Sequence, residues 1–349
     1  MILNSDYYVT ESVLRGHPDK ICDQISDAIL DEYLKCDKES HTAVECMGFQ
    51  NNVVLAGEVN SKAEIDVVDV AKKVYKSIGY QEDINVQNYI SKQSCQLSCV
   101  VKKGEAGDQG IMYGYACNSQ YNYFPTGIYI SNMLAKKIDE LRKEKYICLP
   151  DGKVQVTIKN SNIEKIIINV QHEKNANMEL LREIILKEAV SKVVDSNNQI
   201  IINKDLGFIK GGFTNDTGLT GRKIMVDTYG GLVPHGGGAF SGKDPSKMDR
   251  TGAYMARFVA KSIVANGIAK ECLVMLAYEF GEEKPAAVKI ICDGNSCKSI
   301  LREKILDEFD LRPEAIIERL GLRKIKFINT STYGHFGDKN YPWEKIVSL

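Results

Sequence analysis

The stretch that decides the fold is residues 16–29, which reads GHPDKICDQISDAI. Its apolar residues recur at the spacing of one helix face: Ile21, Ile25, Ala28 and Ile29. Residues three and four positions apart lie on the same side of a helix, and Pro18 suits a first helical turn. The pattern therefore predicts a helix over about residues 18–35, preceded over residues 7–17 by a short strand and a loop.

Strand-like and helix-like segments follow this helix along the chain. Strands are predicted near residues 42–50, 53–59, 153–159, 163–171, 199–203, 272–280 and 286–292. Helices are predicted near residues 63–78, 126–143, 178–194, 248–266, 296–308 and 312–320. The two kinds of element are mixed without the regular alternation of a parallel βαβ sheet, so the sequence predicts an α+β fold with mainly antiparallel sheets.

The length of 349 residues exceeds what one hydrophobic core supports, so two or three domains are expected. We divide the chain into an N-terminal α+β domain over residues 1–98, a central one over 110–205 and a C-terminal one over 206–349. Residues 94–109 are rich in Ser, Cys, Lys and Gly and show no periodicity. We predict that they form a mobile loop, and long loops of this kind often act as lids.

Composition excludes several classes of protein. The formal net charge of -1 gives no field that favours nucleic acid or an anionic membrane, so neither partner is expected. The first residues lack the basic and apolar blocks of a signal peptide, and no apolar run approaches the ~20 residues that span a bilayer. The ten cysteines form no Cys-x-x-Cys pair and indicate reduced thiols in a cytoplasmic protein.

The start of the first helix combines groups that bind phosphate. Exposed backbone amides at a helix N-terminus attract anions, and His17 and Lys20 add donors. Asp19 could hold Mg²⁺ between its carboxylate and phosphate oxygens. The alternative is a plain helix cap, with Asp19 in its favoured first turn. His41 and His172 lie beside predicted turns and are expected at the surface.

Two acids lie on the strands of a predicted hairpin. If Asn51-Asn52 is a two-residue turn, counting outward places Glu45 directly opposite Glu58. Two facing carboxylates repel unless a cation lies near them, and K⁺ or the ammonium of an amino acid would serve. The alternative is two solvated glutamates on the exposed face of the sheet.

Two glycine-rich stretches carry charged residues. Residues 104–110 read GEAGDQG, in which Asp108 could receive an ammonium or an adenine amino group, or the stretch could be only a hinge. Eleven of the 28 glycines lie between Gly207 and Gly242. In and just after this stretch lie five cations and three acids: Arg222, Lys223, Lys243, Lys247, Arg250, Asp216, Asp244 and Asp249. That mixture suits a polyphosphate with Mg²⁺ rather than solvated surface turns, although no Walker-type loop is present.

Four of these stretches, taken in order, closely resemble the signatures of S-adenosylmethionine synthetases: residues 16–20, 104–110, 218–223 and 236–244. The resemblance covers essentially the whole chain. It implies three similar α+β domains with helices packed on one face, and an active site between two subunits of a homodimer, which in some members pairs into a tetramer. It also implies the reaction: the sulfur of L-methionine attacks C5′ of ATP, and the expelled tripolyphosphate is hydrolysed to phosphate and diphosphate.

The same resemblance implies roles for individual residues. His17 would stabilise charge on the departing triphosphate, acting with Lys153, Arg222 and Lys243. The ATP contacts would be His17, Asp151, Gly152, Lys153, Phe208, Asp216, Arg222, Lys223, Ala239 and Lys243. The methionine contacts would be Glu58, Gln93, Asp108, Asp216 and Lys247. Two Mg²⁺ ions would be held by Asp19, Asp249 and Glu11, and one K⁺ ion by Glu45.

Two positions depart from the family pattern. Arg15 stands where a glutamate is usual, and Gly207 stands where an arginine near ATP is usual, with Lys210 as a candidate substitute. These departures favour a first competing interpretation, a non-catalytic regulatory relative, and a second is an ATP-dependent phosphotransferase or tripolyphosphatase with an unrelated acceptor. The presence of His17 and Lys243 argues against the first, because a binding module needs no groups that stabilise a leaving group.

Overall fold

The computed structural model describes residues 7–93, 104–145, 148–194, 199–204, 207–293, 295–296 and 299–349. Most of the predicted mobile loop, residues 94–103, lies outside the described residues. The helices are α1 (Pro18–Cys36), α2 (Val67–Ile78), α3 (Thr126–Lys145), α4 (Met178–Ile184), α5 (Ile224–Asp227), α6 (Met248–Ala265), α7 (Ser299–Glu308) and α8 (Pro313–Leu320). The strands are β1 (Tyr7–Val13), β2 (His41–Phe49), β3 (Asn52–Asn60), β4 (Asn85–Lys92), β5 (Gly110–Cys117), β6 (Gly152–Lys159), β7 (Asn162–Val170), β8 (Gln199–Ile202), β9 (Gly218–Leu219), β10 (Glu271–Tyr278), β11 (Ala287–Cys292) and β12 (Asn295–Ser296).

The strands form three four-stranded sheets, in the orders β4-β3-β2-β9, β1-β6-β7-β8 and β12-β11-β10-β5. Among the described strands, neighbours run antiparallel except β3 with β4 and β7 with β8, which run parallel. The predicted α+β class with mainly antiparallel sheets is therefore confirmed.

The sheets exchange strands in a cycle. Each takes three strands from one of the contiguous segments predicted from the sequence and a fourth strand from another segment. The N-terminal segment gives β1 to the central sheet, the central segment gives β5 to the C-terminal sheet, and the C-terminal segment gives β9 to the N-terminal sheet. The boundaries predicted at residues 98, 110 and 205 therefore do not coincide with the limits of the sheets.

Most predicted elements lie within a few residues of the observed ones, and three differences have physical causes. The strand β4 was missed because both of its faces are largely exposed and its sequence shows no apolar alternation. The strand β5 was missed because Gly110 and Gly114 interrupt its pattern. The predicted helix over residues 178–194 is α-helical only to Ile184, after which it continues as a π-helical turn and a short 3₁₀ turn.

Each sheet packs its helices on one face only. On the N-terminal sheet the predicted apolar stripe of α1 is buried, with Ile21, Ile25 and Ile29 all at 0% exposure. The opposite faces of the sheets keep large apolar side chains exposed: Tyr7, Val9, Met47, Phe49, Tyr89 and Ile111. No helix in the described part of the chain is long and apolar enough to cross a membrane.

The C-terminal tail is anchored by Trp343. Its indole is fully buried, stacks on Tyr254 with ring centroids 3.7 Å apart, and donates its Nε1–H to the carbonyl of His335 at 2.8 Å. Glu344, the next residue, accepts hydrogen bonds from Arg257 and Lys261 of α6. The tail is therefore part of the C-terminal core.

Removing the Trp343 side chain should destabilise the protein strongly. We expect Trp343→Ala to lower the free energy of unfolding by about 3–5 kcal/mol, because it leaves a large cavity and an unpaired carbonyl. Urea denaturation followed by circular dichroism measures this. The control is Ile346→Ala, which truncates a half-exposed side chain three residues later and should cost less than about 0.5 kcal/mol. Equal losses in the two variants would contradict the anchoring role.

Candidate functional site

His17 caps the first turn of α1. Its Nδ1 accepts a hydrogen bond from the backbone N–H of Asp19 at 3.2 Å. Burial, followed by the positive charge of Lys223, lowers the pKa of His17 to about 3. A neutral imidazole whose Nδ1 accepts must carry its proton on Nε2. His17 therefore presents an N–H donor, which suits an anionic ligand.

Asp19 is fully buried and has three close partners. Its Oδ1 forms an ion pair with Arg222 Nε at 2.7 Å and accepts a hydrogen bond from the backbone N–H of Leu219 at 3.0 Å, and its Oδ2 accepts one from Lys223 Nζ at 2.5 Å. Burial opposes ionisation, but Lys223 and the Leu219 N–H outweigh it and lower the pKa of Asp19. A predicted metal ligand and two predicted phosphate-binding cations thus occupy one cluster.

A second acid and cation lie beside this cluster. Glu11 of β1 and Lys153 of β6 are diagonal neighbours on two paired strands, and Lys153 Nζ lies 3.3 Å from Glu11 Oε2. The charge of Lys153 also contributes to the lowered pKa of His17. We call this set the helix-start group, and its members are Glu11, His17, Asp19, Lys153, Arg222 and Lys223.

A further set of charges lies at the start of α6. Lys243 Nζ lies 2.5 Å from Asp249 Oδ2, and Lys247 Nζ lies 2.6 Å from Asp244 Oδ2. We call these four residues the loop group. A Cβ on Gly238 would lie 2.1 Å from the Asp249 carboxyl carbon, so only glycine lets this loop approach the carboxylate so closely.

The predicted methionine residues Glu58 and Gln93 are neighbours, since Gln93 Nε2 donates to Glu58 Oε1 at 3.1 Å. The loop group borders them, because Lys243 forms a bridge to Ala43, whose other neighbour in the sheet is Glu58. Asp108 is exposed two residues before β5 begins, and its carboxylate accepts the N–H of Gln109.

The predicted hairpin register is wrong. Phe49 pairs with Asn52, so the turn is Gln50-Asn51, with Gln50 at a φ of 51°. Glu58 therefore lies opposite Ala43, and Glu45 lies opposite Ala56. A shift of two in the pairing keeps both acids on the same exposed face, where Glu45 and Glu58 are diagonal neighbours rather than directly opposed.

Some predicted ATP residues serve the local backbone. Asp151 is buried, burial raises its pKa to about 7, and its Oδ2 accepts the N–H of Gly212 at 2.9 Å. The backbone of Phe208 forms two hydrogen bonds with His172. Gly152 begins β6, and Ala239 packs against Gly221 beside Arg222.

Two histidines expected at the surface are buried. His172 holds Phe208, as described above, and His41 Nδ1 lies 3.4 Å from Asp244 Oδ1. Asp244, which also accepts from Lys247, therefore links His41 to the loop group. The sequence did not predict that His41 and His172 are buried, because a position beside a turn does not show whether a distant loop packs over it.

The departures from the family pattern leave the helix-start group intact. The Nε–H of Arg15 donates to Gln24 at 3.1 Å, and its backbone N–H donates to Asp139. Gly207 is exposed, and a Cβ there would meet only ordinary contacts, the nearest at 3.4 Å. Lys210 is exposed as well.

The acids fit a hard cation but are not assembled into a cage. Carboxylate oxygens are the donors that Mg²⁺ prefers. Within the described residues, no three His, Cys, Asp or Glu side chains lie close enough together to hold a metal ion. No hydrogen bond or ion pair among the described residues joins the helix-start group, which contains Asp19, to the loop group, which contains Asp249.

Three family models match consecutive parts of the chain. The S-adenosylmethionine synthetase N-terminal domain matches residues 5–104, the central domain matches 103–209 and the C-terminal domain matches 210–345. The chain belongs to the S-adenosylmethionine synthetase family. Members of this family are metal-dependent enzymes.

Curated proteins of the S-adenosylmethionine synthetase family resemble the chain over nearly its whole length. The S-adenosylmethionine synthase of Borreliella afzelii is 44% identical, over 97% of this chain and 94% of the relative. That of Mycoplasmopsis synoviae is 42% identical over the same shares, and that of Brachyspira hyodysenteriae is 40% identical over 97% and 95%.

The low pKa of His17 predicts an imidazole that stays neutral in mild acid. At pH 5 an ordinary histidine, with a pKa of about 6.5, is mostly protonated. We expect the ¹⁵N signals of His17, assigned with His17→Asn, to report the neutral Nε2–H form at pH 5. The unfolded chain binds a proton at His17 below about pH 6.5, whereas the folded chain does not. The free energy of unfolding should therefore fall as the pH drops below that value, and His17→Asn should lack this contribution to the pH dependence. A midpoint near 6.5 for His17 would contradict the geometry.

Proposed function

We propose that the chain makes S-adenosylmethionine, phosphate and diphosphate from ATP and L-methionine. The observation that carries this proposal is the helix-start group, in which Arg222 and Lys223 pair with the buried carboxylate of Asp19 beside a neutral His17 donor, and Lys153 pairs with Glu11. Such a set suits an oligophosphate leaving group. The family membership and the names of the relatives indicate the reaction. The geometry of the helix-start group explains why these residues suit that reaction.

The chemistry needs no general base. A thioether sulfur is a neutral nucleophile, so the barrier to its attack on C5′ falls through alignment and through stabilisation of the departing triphosphate. His17 Nε2–H, Lys153 and Arg222 would donate to the phosphate oxygens of that group, with Lys223 beside them. Lys243 would add a cation from the loop group, and Ala239, Asp216 and Phe208 would lie near the nucleoside.

Binding of Mg²⁺ and ATP would be an exchange of partners. Each carboxylate proposed to hold Mg²⁺ forms an ion pair with a cation proposed to hold phosphate: Glu11 with Lys153, Asp19 with Lys223, and Asp249 with Lys243. When bound, the two Mg²⁺ ions would neutralise phosphate charge. Each carboxylate that binds Mg²⁺ would release its lysine, and that lysine would then bind phosphate oxygens. Every charge of these ion pairs would therefore keep a partner.

Methionine and the monovalent cation would bind near the N-terminal sheet. The contact between Glu58 and Gln93 offers a carboxylate for the substrate ammonium and an amide for its carboxylate. Lys247 and Asp108 would complete the set. The exposed carboxylate of Glu45, diagonal to Glu58, is our candidate for the K⁺ ligand, since an oxygen donor suits that ion.

We also propose that the active site is completed by a second copy of the chain. Among the described residues of one chain, no hydrogen bond or ion pair joins the helix-start group to the loop group, and neither group holds three acids. The open faces of the sheets carry exposed apolar side chains such as Met47, Phe49 and Ile111, which a homodimer would cover. Two such dimers could pair further.

The reaction is tested by product analysis with ATP, methionine, Mg²⁺ and K⁺. We expect S-adenosylmethionine with equimolar phosphate and diphosphate, and a loss of about 10²-fold or more in turnover for Lys243→Ala. This result would also show that Arg15 and Gly207 are tolerated. ADP as the product would indicate phosphotransfer, and no product from folded, ATP-binding protein would indicate a regulatory relative. Either of those results overturns the proposal.

The shared site is tested by complementation of two inactive variants. Each dimer of His17→Ala or of Lys243→Ala lacks one needed group at both sites. A mixed dimer would have one site with both defects and one intact site. Random assortment on co-expression should therefore restore about a quarter of the wild-type specific activity. Activity no higher than that of the single variants would place His17 and Lys243 in the same half of the site and contradict the proposal.

A further inference from the structure

We propose that Asp23 and Asp27 are positioning residues that fix the two glycine-rich loops, and with them the positions of the phosphate-binding cations Arg222 and Lys243. This inference rests on the proposed function for the role of those cations. Neither aspartate is exposed, at 0% each, so neither contacts a substrate directly.

The helix α1 carries an aspartate at every fourth position, at Asp19, Asp23, Asp27 and Asp31. Residues four apart lie on the same side of a helix, and each step of four advances about 6 Å along its axis. We call this row the aspartate ladder. Nothing in the apolar pattern of α1 requires acids on this face, which is packed against other parts of the chain.

Each acid of the ladder accepts backbone N–H groups from the C-terminal segment. Asp23 Oδ1 accepts from Gly221 at 2.8 Å, and Asp27 Oδ1 accepts from Gly242 at 2.8 Å. Asp19 accepts from Leu219, as described above. Asp31 accepts from Phe327 at 2.7 Å and from Ile328 at 3.0 Å.

The two glycines stand directly before the proposed phosphate ligands. Gly221 precedes Arg222, and Gly242 precedes Lys243. Both glycines have positive φ, at 75° and 81°. A Cβ on Gly242 would lie 1.9 Å from the carbonyl oxygen of Val44, so this loop is pressed against the N-terminal sheet.

Both aspartates are held in place by buried cations. Asp27 accepts from Arg250 Nη2 with both oxygens, at 2.7 and 2.9 Å. Asp23 Oδ2 lies 3.0 Å from Lys20 Nζ, and Lys20 also binds Asp227. A hydrogen bond whose acceptor is a carboxylate in an ion pair is stronger than one between neutral groups.

Two successive aspartates of the ladder therefore hold the loops. Asp23 holds the loop that carries Arg222, and Asp27 holds the loop that carries Lys243. A displacement of about 1 Å at a reacting site can cost ~10²-fold in rate. Removing the side chain of Asp23 or Asp27 should therefore lower the rate, although neither side chain contacts substrate.

The test compares two truncations on the same helix. Asp23→Ala removes the acceptor of the Gly221 N–H, next to a proposed phosphate ligand. Asp31→Ala removes the acceptor of the N–H groups of Phe327 and Ile328, which lie outside the proposed site. Isothermal titration with inorganic tripolyphosphate and Mg²⁺ should show binding weakened at least about tenfold for Asp23→Ala and less than about threefold for Asp31→Ala. In turnover, the same loss should appear in kcat while the KM for methionine is unchanged.

Asp23→Asn separates the acceptor from the charge. It keeps an oxygen for the Gly221 N–H, and Lys20 keeps Asp227, so it should recover most of the affinity that Asp23→Ala loses. Equal losses in Asp23→Ala and Asp31→Ala, or no recovery in Asp23→Asn, would overturn the positioning role. If Asp23→Ala does not fold, Asp23→Ser, whose hydroxyl is too short to reach Gly221, replaces it with the same expected loss.

The titration does not require turnover. If the wild-type protein binds tripolyphosphate but forms no S-adenosylmethionine, the proposed function fails while the comparison of Asp23→Ala with Asp31→Ala still decides the positioning role. If the wild-type protein forms product and the two variants bind tripolyphosphate equally, only the positioning role fails.

Discussion

The structure depends on the buried acids of α1 finding partners in the C-terminal segment. A helix that carries Asp19, Asp23 and Asp27 at 0% exposure would be costly to bury alone, because an uncompensated carboxylate loses its hydration. Backbone N–H groups and the cations Lys223 and Arg250 supply the compensation. The N-terminal sheet packs on the apolar side of α1, and the glycine-rich loops pack on its acidic side. The helix α1 therefore joins the N-terminal sheet to the C-terminal segment.

This constraint explains part of the concentration of glycine that the sequence shows between residues 207 and 242. Loops that donate their backbone N–H groups to a helix surface must approach it closely, and a Cβ on Gly218 would lie 2.2 Å from the carbonyl oxygen of Pro18 in α1. The contacts with Asp23 and Asp27 also fix the positions of Arg222 and Lys243, the cations that follow Gly221 and Gly242. Packing and charge compensation in the fold therefore also assemble the groups that, on our proposal, hold the triphosphate.

Sequence analysis predicted the parts that depend on local pattern. The helix α1 and the strands of the hairpin follow from periodicity and capping. The exchange of β1, β5 and β9 among the sheets could not be predicted, because periodicity identifies a strand but not its partner. The hairpin register was wrong since Gln50, rather than Asn52, adopts the turn conformation.

Asp23 and Asp27 were missed for a related reason. On a helix predicted from its apolar face, polar residues at other positions are usually solvated, and only the long-range contacts with Gly221 and Gly242 show that these two are buried. The pairing of Glu11 with Lys153 likewise depends on β1 joining a sheet far along the chain. Local pattern thus indicated candidate residues for the chemistry, while only the tertiary structure shows which residues contact them.

The measurement that tests this account most directly is amide hydrogen exchange of residues 218–223 and 240–244 in the wild-type protein. These segments are mostly irregular, and amides of solvated loops exchange at nearly the unprotected rate. If the aspartate ladder holds them, the amides of Leu219, Gly221 and Gly242 should exchange at least about 100-fold more slowly than that rate, as those inside α1 do. Exchange of all three at the rate of an unprotected loop would contradict the central claim that α1 fixes the glycine-rich loops.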